Sequence, residues 1–180
     1  MADVVIAEPG ELSPAVLHAA ESLVRDAFGA SFRTHDWIHG IKGVHVLVTD
    51  AGALVAHASV VPRTLWHGAQ EFDAGYVEGV AVRGDQQGRG LGRVVMDHAE
   101  SIIASRHRIG ALNAVESAAP FYAARGWQRW TGPTAAQSPT GVIDTRNEED
   151  CIFLFHVQTQ TATWTSTDPV TCDWRTGDLW

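Results

Sequence analysis

The sequence predicts an α+β fold in a single domain spanning residues 1–180. Three observations carry this. Strand-like and helix-like runs are mixed, without the strict alternation of a doubly wound parallel sheet. Several strand runs follow one another across tight turns, as hairpins do. The length, 180 residues, is that of one ordinary domain, and 45% hydrophobic with 19% charged residues is a globular composition. A chain this long buries a sizeable core without disulfides or metals.

The elements follow in order. "DVVIAE" is a short first strand. "SPAVLHAAESLVRDAF" reads as a helix, with Ser13 as N-cap and Pro14 suited to the first turn. Val16, Leu17, Ala20, Leu23, Val24 and Ala27 recur on one helical face. "THDWIHGIKG" is a short helix or loop ended by glycines. "VHVLVTD" and "ALVAHASVVPR" form two strands around the turn "AG". "QEFDAGYVEGVAV" is a long strand. Leu91, Val94, Val95, Ala99, Ile102 and Ile103 mark the inner face of a second long helix. "IGALN" is a strand, "SAAPFYAARG" a helix that Gly126 can end, and "WQRW" and "CIFLFHV" are late strands. The polar segment 131–150, with two prolines, reads as a long loop. The ending "CDWRTGDLW" is too rich in tryptophan for a disordered tail.

Composition bounds the partners. The formal net charge of −8 argues against nucleic acid and anionic membranes, and it favours a polycation. Cys151 and Cys172 are too few for a disulfide framework and lack metal-ligand spacing. His35, His39 and His45 suggest a metal at first sight, but no second cluster closes a ligand set, so no metal is expected. "MADVVIAEPG" lacks the pattern of a secretory leader, and no apolar run reaches membrane-spanning length. A cytoplasmic protein is the expectation, and a homodimer is compatible with it.

The segment "VRGDQQGRGLGR" lies between the long strand and the second long helix. A strand, a glycine-rich turn and a helix N-terminus together hold phosphate, because free N–H groups point outward and the helix dipole adds positive charge. Glycines keep side chains out of the way. No Lys-Ser or Lys-Thr pair follows, which excludes a P-loop. The spacing Gly88, Gly90, Gly92 does not fit the dinucleotide fingerprint.

Gln87, Gly90 and Gly92 do match Q-x-x-G-x-G. With the element order around it, the sequence resembles the GNAT superfamily of acetyl-CoA-dependent N-acetyltransferases. "GYVEGVAV", "YAARGW", "HDW" followed by "GVH", and the terminal "CDWRTGDLW" resemble the aminoglycoside 2′-N-acetyltransferase branch over nearly the whole chain. The resemblance implies a mixed, mostly antiparallel sheet split by a V-shaped cleft and flanked by helices. It implies acetyl-CoA as cofactor and an aminoglycoside as substrate.

The same resemblance assigns roles. Glu78 is the base for the amine and Tyr122 the acid for the departing thiolate. Val80, Ala81 and Val82 contribute backbone groups to the acetyl carbonyl and pantetheine. Gln87, Gly88, Arg89, Gly90, Leu91, Gly92 and Arg93 surround the pyrophosphate, and Asn113 touches pantetheine or substrate where the branch has a serine. Asp36, Glu148, Asp178 and the terminal carboxylate of Trp180 match acidic positions for a polycationic substrate, with Glu78 beside them. Ser31 stands where the branch has an acidic residue, and Ile41-Lys42-Gly43 stands where it has "LGG". A lost negative charge favours a smaller, carboxylated aminoglycoside, kasugamycin, over gentamicin or tobramycin. The alternatives are an acetyltransferase for deoxystreptamine drugs, one for proteins or polyamines, and a non-catalytic acyl-CoA sensor.

Overall fold

The computed structural model describes residues 2–146, 151–157 and 164–180. Along the chain the elements are β1 (Asp3–Ala7), α1 (Pro14–Phe28), α2 (Thr34–Gly40), β2 (Val44–Asp50), β3 (Ala53–His67), β4 (Gln70–Val82), α3 (Leu91–Arg106), β5 (Ile109–Asn113), α4 (Ala119–Ala123), β6 (Gln128–Arg129), β7 (Thr134–Ser138), β8 (Gly141–Asp144), β9 (Ile152–His156) and β10 (Val170–Asp173). They form two compact units: Met1–Val61 with Val77–Ile102, and Pro62–Tyr76 with Ile103–Trp180. Among the described residues, no helix is long and apolar enough to cross a membrane.

In the first unit, β1 and β2 are antiparallel, from Asp3↔Thr49 to Ala7↔His45. β2 and β3 form a hairpin closed by Ala51 and Gly52, whose φ values of 49° and 79° give the twist a two-residue hairpin needs. The register slips by one residue between Val48 and Thr49. That bulge has a consequence. Continuing the Asp50↔Ala53 pairing would set His57 opposite Val46, but the slip sets it opposite Leu47, on the same face as His45. α1 starts at Ser13, whose Oγ accepts from Val16 N at 3.4 Å. Ala20, Leu23 and Val24 pack with Trp37, Leu47 and Ala81. The stripe predicted for α1 is buried only in its middle; Val16 and Ala27, one at each end of the helix, are exposed.

In the second unit the sheet order is β6-β9-β5-β4-β3-β10-β7-β8. β4–β5 and β10–β7 are parallel; β5–β9, β6–β9, β7–β8 and β10–β3 are antiparallel. The core joins Leu65, Phe72, Tyr76, Ile109, Leu154 and Trp180. The described part of segment 131–150, residues 131–146, is not the long loop expected from its polarity. It contains the β7–β8 hairpin, whose turn is held by Ser138 Oγ donating to Gly141 O at 2.6 Å. β7 reads "TAAQS", with small residues that are weak strand formers, and only pairing with β10 makes it a strand. β10 itself was not legible either, since it needs β3 on one side and β7 on the other.

A buried arginine fixes the tail. Arg63, in β3, donates from Nε to Asp173 Oδ1 (2.7 Å), from Nη2 to Asp173 O (2.9 Å) and from Nη1 to Leu179 O (2.7 Å). Its guanidinium lies 4.8 Å from the Tyr76 ring centroid.

Candidate active site

Glu78 sits in β4, half-buried. A Cβ at Gly40, the last residue of α2, would lie 3.6 Å from Glu78 Cβ and 3.3 Å from Ser59 Oγ. Gly40 therefore lets the end of α2 approach Glu78. The next residue, Gly79, has φ +58° in mid-strand, a conformation that L side chains rarely adopt and a break in the pleat. The Gly79 carbonyl is taken by a side chain: His57 Nδ1 lies 2.8 Å away. Val80 and Val82 are half-buried and Ala81 buried. Arg83 N, just beyond β4, donates to Val55 O at 2.9 Å.

The glycine loop follows in the same unit. Gln86 N donates to Arg83 O at 2.8 Å in a single 3₁₀ turn. The Gln87 side chain turns back and donates to Val82 O at 3.4 Å. Gly88 and Gly90 have φ of 76° and 80°, and a Cβ on either would meet no protein atom within 4 Å. Backbone at these positions therefore faces open space. The N–H groups of Arg93 and Val94 donate to Gly90 O at 3.0 and 3.2 Å, so α3 begins with its positive end at Gly90–Gly92. Leu91 is buried and anchors that end. Arg89 is exposed and engaged by Asp50 at 3.3 Å and by Gln86, and Arg93 is exposed.

The remaining predicted residues of this unit lie around α2. Ser31 is exposed, and its Oγ donates to Phe28 O at 2.8 Å. Asp36 is used locally: Oδ2 accepts from Arg33 N at 2.7 Å, and Oδ1 is 3.1 Å from His35 Nε2. Lys42 is exposed.

The second unit carries the others. Tyr122, in α4, is buried beside Phe121, Trp127 and Phe153, with ring centroids 5.1, 6.2 and 5.8 Å away. Burial pushes its phenol up to about 12, against the pull of Arg125. It therefore keeps its proton at neutral pH. Asn113 is exposed at the end of β5, and its Oδ1 accepts from Cys151 N at 2.9 Å. The carbonyl of exposed Asp178 accepts from Arg175 Nε at 2.6 Å. Trp180 is buried, and its Nε1 donates to Thr145 Oγ1 at 2.8 Å. Glu148 lies outside the described residues.

Sequence reasoning missed the histidine pair behind Glu78. His45 Nδ1 is 3.0 Å from His57 Nε2, and both rings are buried. Burial pushes His57 down to about 4, against the hydrogen bond with the Gly79 carbonyl, with His45 adding to the depression. Burial likewise lowers His45. Both imidazoles are neutral at pH 7.

Known proteins resemble this chain in sequence and in fold. The model of the acetyltransferase (GNAT) family matches residues 17–127. An aminoglycoside 2′-N-acetyltransferase of Mycolicibacterium fortuitum is 38% identical over 171 residues, covering 94% of this chain and 88% of that protein. The crystal structure of Escherichia coli ElaA superposes with a TM-score of 0.67 at 16% identity, over 87% of this chain and all of that one. The E. coli GNAT protein YhbS, solved in complex with CoA, superposes with a TM-score of 0.66 at 12% identity, over 97% of this chain and 89% of that one. The α+β fold read from the sequence is the fold these structures share, and this chain belongs to the acetyltransferase (GNAT) family.

Proposed function

We propose that this protein transfers the acetyl group of acetyl-CoA to the 2′-amine of an aminoglycoside, acting as one acetyltransferase domain. One observation carries the reading: Glu78 stands immediately before Gly79, whose φ of +58° breaks the regular strand conformation, and the open glycine loop follows the end of that strand. The 38% identity to the M. fortuitum enzyme supports the substrate class.

The residues fit coenzyme A. Backbone at Gly88 and Gly90 and the start of α3 would hold its pyrophosphate, where positive φ and open space let peptide N–H groups close on an anion. Val80 and Val82 would offer N–H groups to the acyl and pantetheine carbonyls. When bound, acetyl-CoA supplies an acyl thioester and a thiolate leaving group. Glu78 takes a proton from the substrate ammonium, directly or through water, because only the free amine has a lone pair for attack. Tyr122 holds the proton that the leaving sulfur needs.

Within this reading, kasugamycin is the favoured substrate. Ser31 replaces a carboxylate, and its hydroxyl is already spent on Phe28 O. Lys42 is exposed, so the charge argument rests on Ser31. The test measures acetylation of kasugamycin, gentamicin and tobramycin side by side, with product mass and NMR assignment of the modified nitrogen. Turnover of the deoxystreptamine drugs but not kasugamycin overturns the substrate. No turnover of any of them, with CoA bound, overturns the enzyme reading in favour of an acyl-CoA sensor.

A further inference from the structure

His57 is buried in β3, and its two ring nitrogens face different partners. Nδ1 is 2.8 Å from Gly79 O, and Nε2 is 3.0 Å from His45 Nδ1. A carbonyl oxygen only accepts, so the proton is on His57 Nδ1. A neutral imidazole has one N–H, so His57 Nε2 carries a lone pair and His45 Nδ1 must donate to it. His45 Nε2 then has no proton for Ile41 O, and that approach is the longest of the three, 3.4 Å. Two protons serve the two short contacts with both rings neutral, and the longer approach to Ile41 O is left without a donor.

What this chain grips is a peptide plane. Gly79 C=O and Val80 N–H belong to one planar trans unit, so they point in opposite directions. Fixing the carbonyl fixes the N–H. The φ of Gly79, +58°, lies outside the range of a regular pleat. Glycine is also the residue with most freedom to rotate that plane. A carbonyl that accepts a hydrogen bond further polarises its own amide and strengthens the N–H as a donor.

We propose that His57, backed by His45, is a positioning residue for acyl transfer: its Nδ1–H locks the Gly79–Val80 peptide so that Val80 N–H is presented away from the imidazole as a fixed donor to the acyl carbonyl. The proposal rests on the acetyl-transfer reading above. Trp37 from α2 lies against both rings, with centroids 6.0 and 6.3 Å away, and keeps them in place.

Two variants separate positioning from packing. His57→Asn carries an amide N–H close to the position of Nδ1 and keeps the bond to Gly79 O. His57→Leu fills the space without a donor. His57→Leu is expected to lower kcat about 10- to 100-fold, less than the full loss of an oxyanion donor. KM for acetyl-CoA should stay within about threefold, since the glycine loop is untouched, and His57→Asn should recover most of the loss. Long-range 1H–15N spectra of the wild type should show the Nδ1–H tautomer at both His57 and His45. A folded His57→Leu at wild-type kcat, or a His57→Asn as slow as His57→Leu, overturns the proposal. So does an Nε2–H tautomer at His57. If His57→Leu fails to fold, His57→Asn at less than about a tenth of wild-type kcat overturns it and near-wild-type kcat supports it. A wild type that acetylates no aminoglycoside fails the functional reading instead, and the tautomers then decide alone whether the peptide clamp exists.

Discussion

Lowering the pH from about 7.5 to 4.5 protonates free imidazoles in the unfolded chain but leaves His57 neutral in the folded one. Burial sets its folded value at about 4, against the ordinary 6.5. The folded value is depressed, so the stability linked to this group is complete above about pH 6.5 and is lost as the pH falls towards 4. The linkage relation gives a loss of about 1.4 kcal/mol at pH 5.5 and about 2.6 kcal/mol at pH 4.5 from this residue. For a domain with a total stability of about 5–15 kcal/mol, that is a large fraction. The assay is urea unfolding of the wild type and His57→Asn at the three pH values. His57→Asn should lose about 2–3 kcal/mol less than the wild type over the range. It should also start lower by about 1 kcal/mol, because the His45–His57 bond is gone. His45 is bonded to His57, so its own titration changes with the substitution; it is followed by NMR in both proteins and its contribution subtracted before the difference is assigned to His57. Equal losses would mean that the imidazole is not held neutral, and the tautomer argument would fall with it.

Three further outcomes are expected. Gly90→Val should weaken CoA binding by about 1–3 kcal/mol in calorimetry, through lost positive φ and a side chain in the open face of the loop; unchanged affinity in a folded variant would put the cradle elsewhere. Tyr122→Phe should slow transfer about 10²- to 10⁴-fold with little change in melting, because the ring contacts remain and only the proton is lost; a wild-type rate refutes the acid role. Trp180→Ala should lower stability by about 3–5 kcal/mol, since the indole is buried and donates to Thr145. If Trp180 also completes the substrate site, KM for the aminoglycoside rises while KM for acetyl-CoA does not, and equal changes assign it to packing alone.

Local signals were legible in the sequence and long-range ones were not. Ser13 caps α1 because its side chain meets a backbone N–H three residues on, a contact that sequence spacing encodes. The "AG" turn, the run of β4 and the glycine loop are equally local. β7 and β10 depend on partners far along the chain. Arg63 reaches Leu179 across 116 positions. The histidine pair hid for a subtler reason: only the bulge at Val48/Thr49 brings His45 and His57 to one face, and a hairpin drawn without it sets them on opposite faces. Ring contacts therefore followed from a register shift that no residue type announces. Glu78, Gly90 and Tyr122 were assigned their roles in the sequence through the family resemblance, and those roles remain proposals.

Much of the proposed acyl handling rests on peptide groups: the Gly79–Val80 plane, the loop N–H groups and the start of α3. Every sequence has peptide groups, so the chain must supply only unusual φ values and whatever fixes them. Recognition of an amino sugar is different, because its ammonium groups need side-chain carboxylates at fixed places. Selectivity among aminoglycosides should then follow single side chains, and Ser31 is the sharpest case. Ser31→Glu introduces a carboxylate at an exposed position where the present hydroxyl donates to Phe28 O. A charge-assisted bond to a buried ammonium would be worth about 1.5–3 kcal/mol, but exposure reduces an ion pair to about 1 kcal/mol or less. The expected change is thus about fivefold in kcat/KM for gentamicin or tobramycin relative to kasugamycin, carried mainly by KM and weakened by added salt. A ratio that does not move, or moves towards kasugamycin, removes Ser31 as the determinant while leaving Glu78 and the glycine loop untouched.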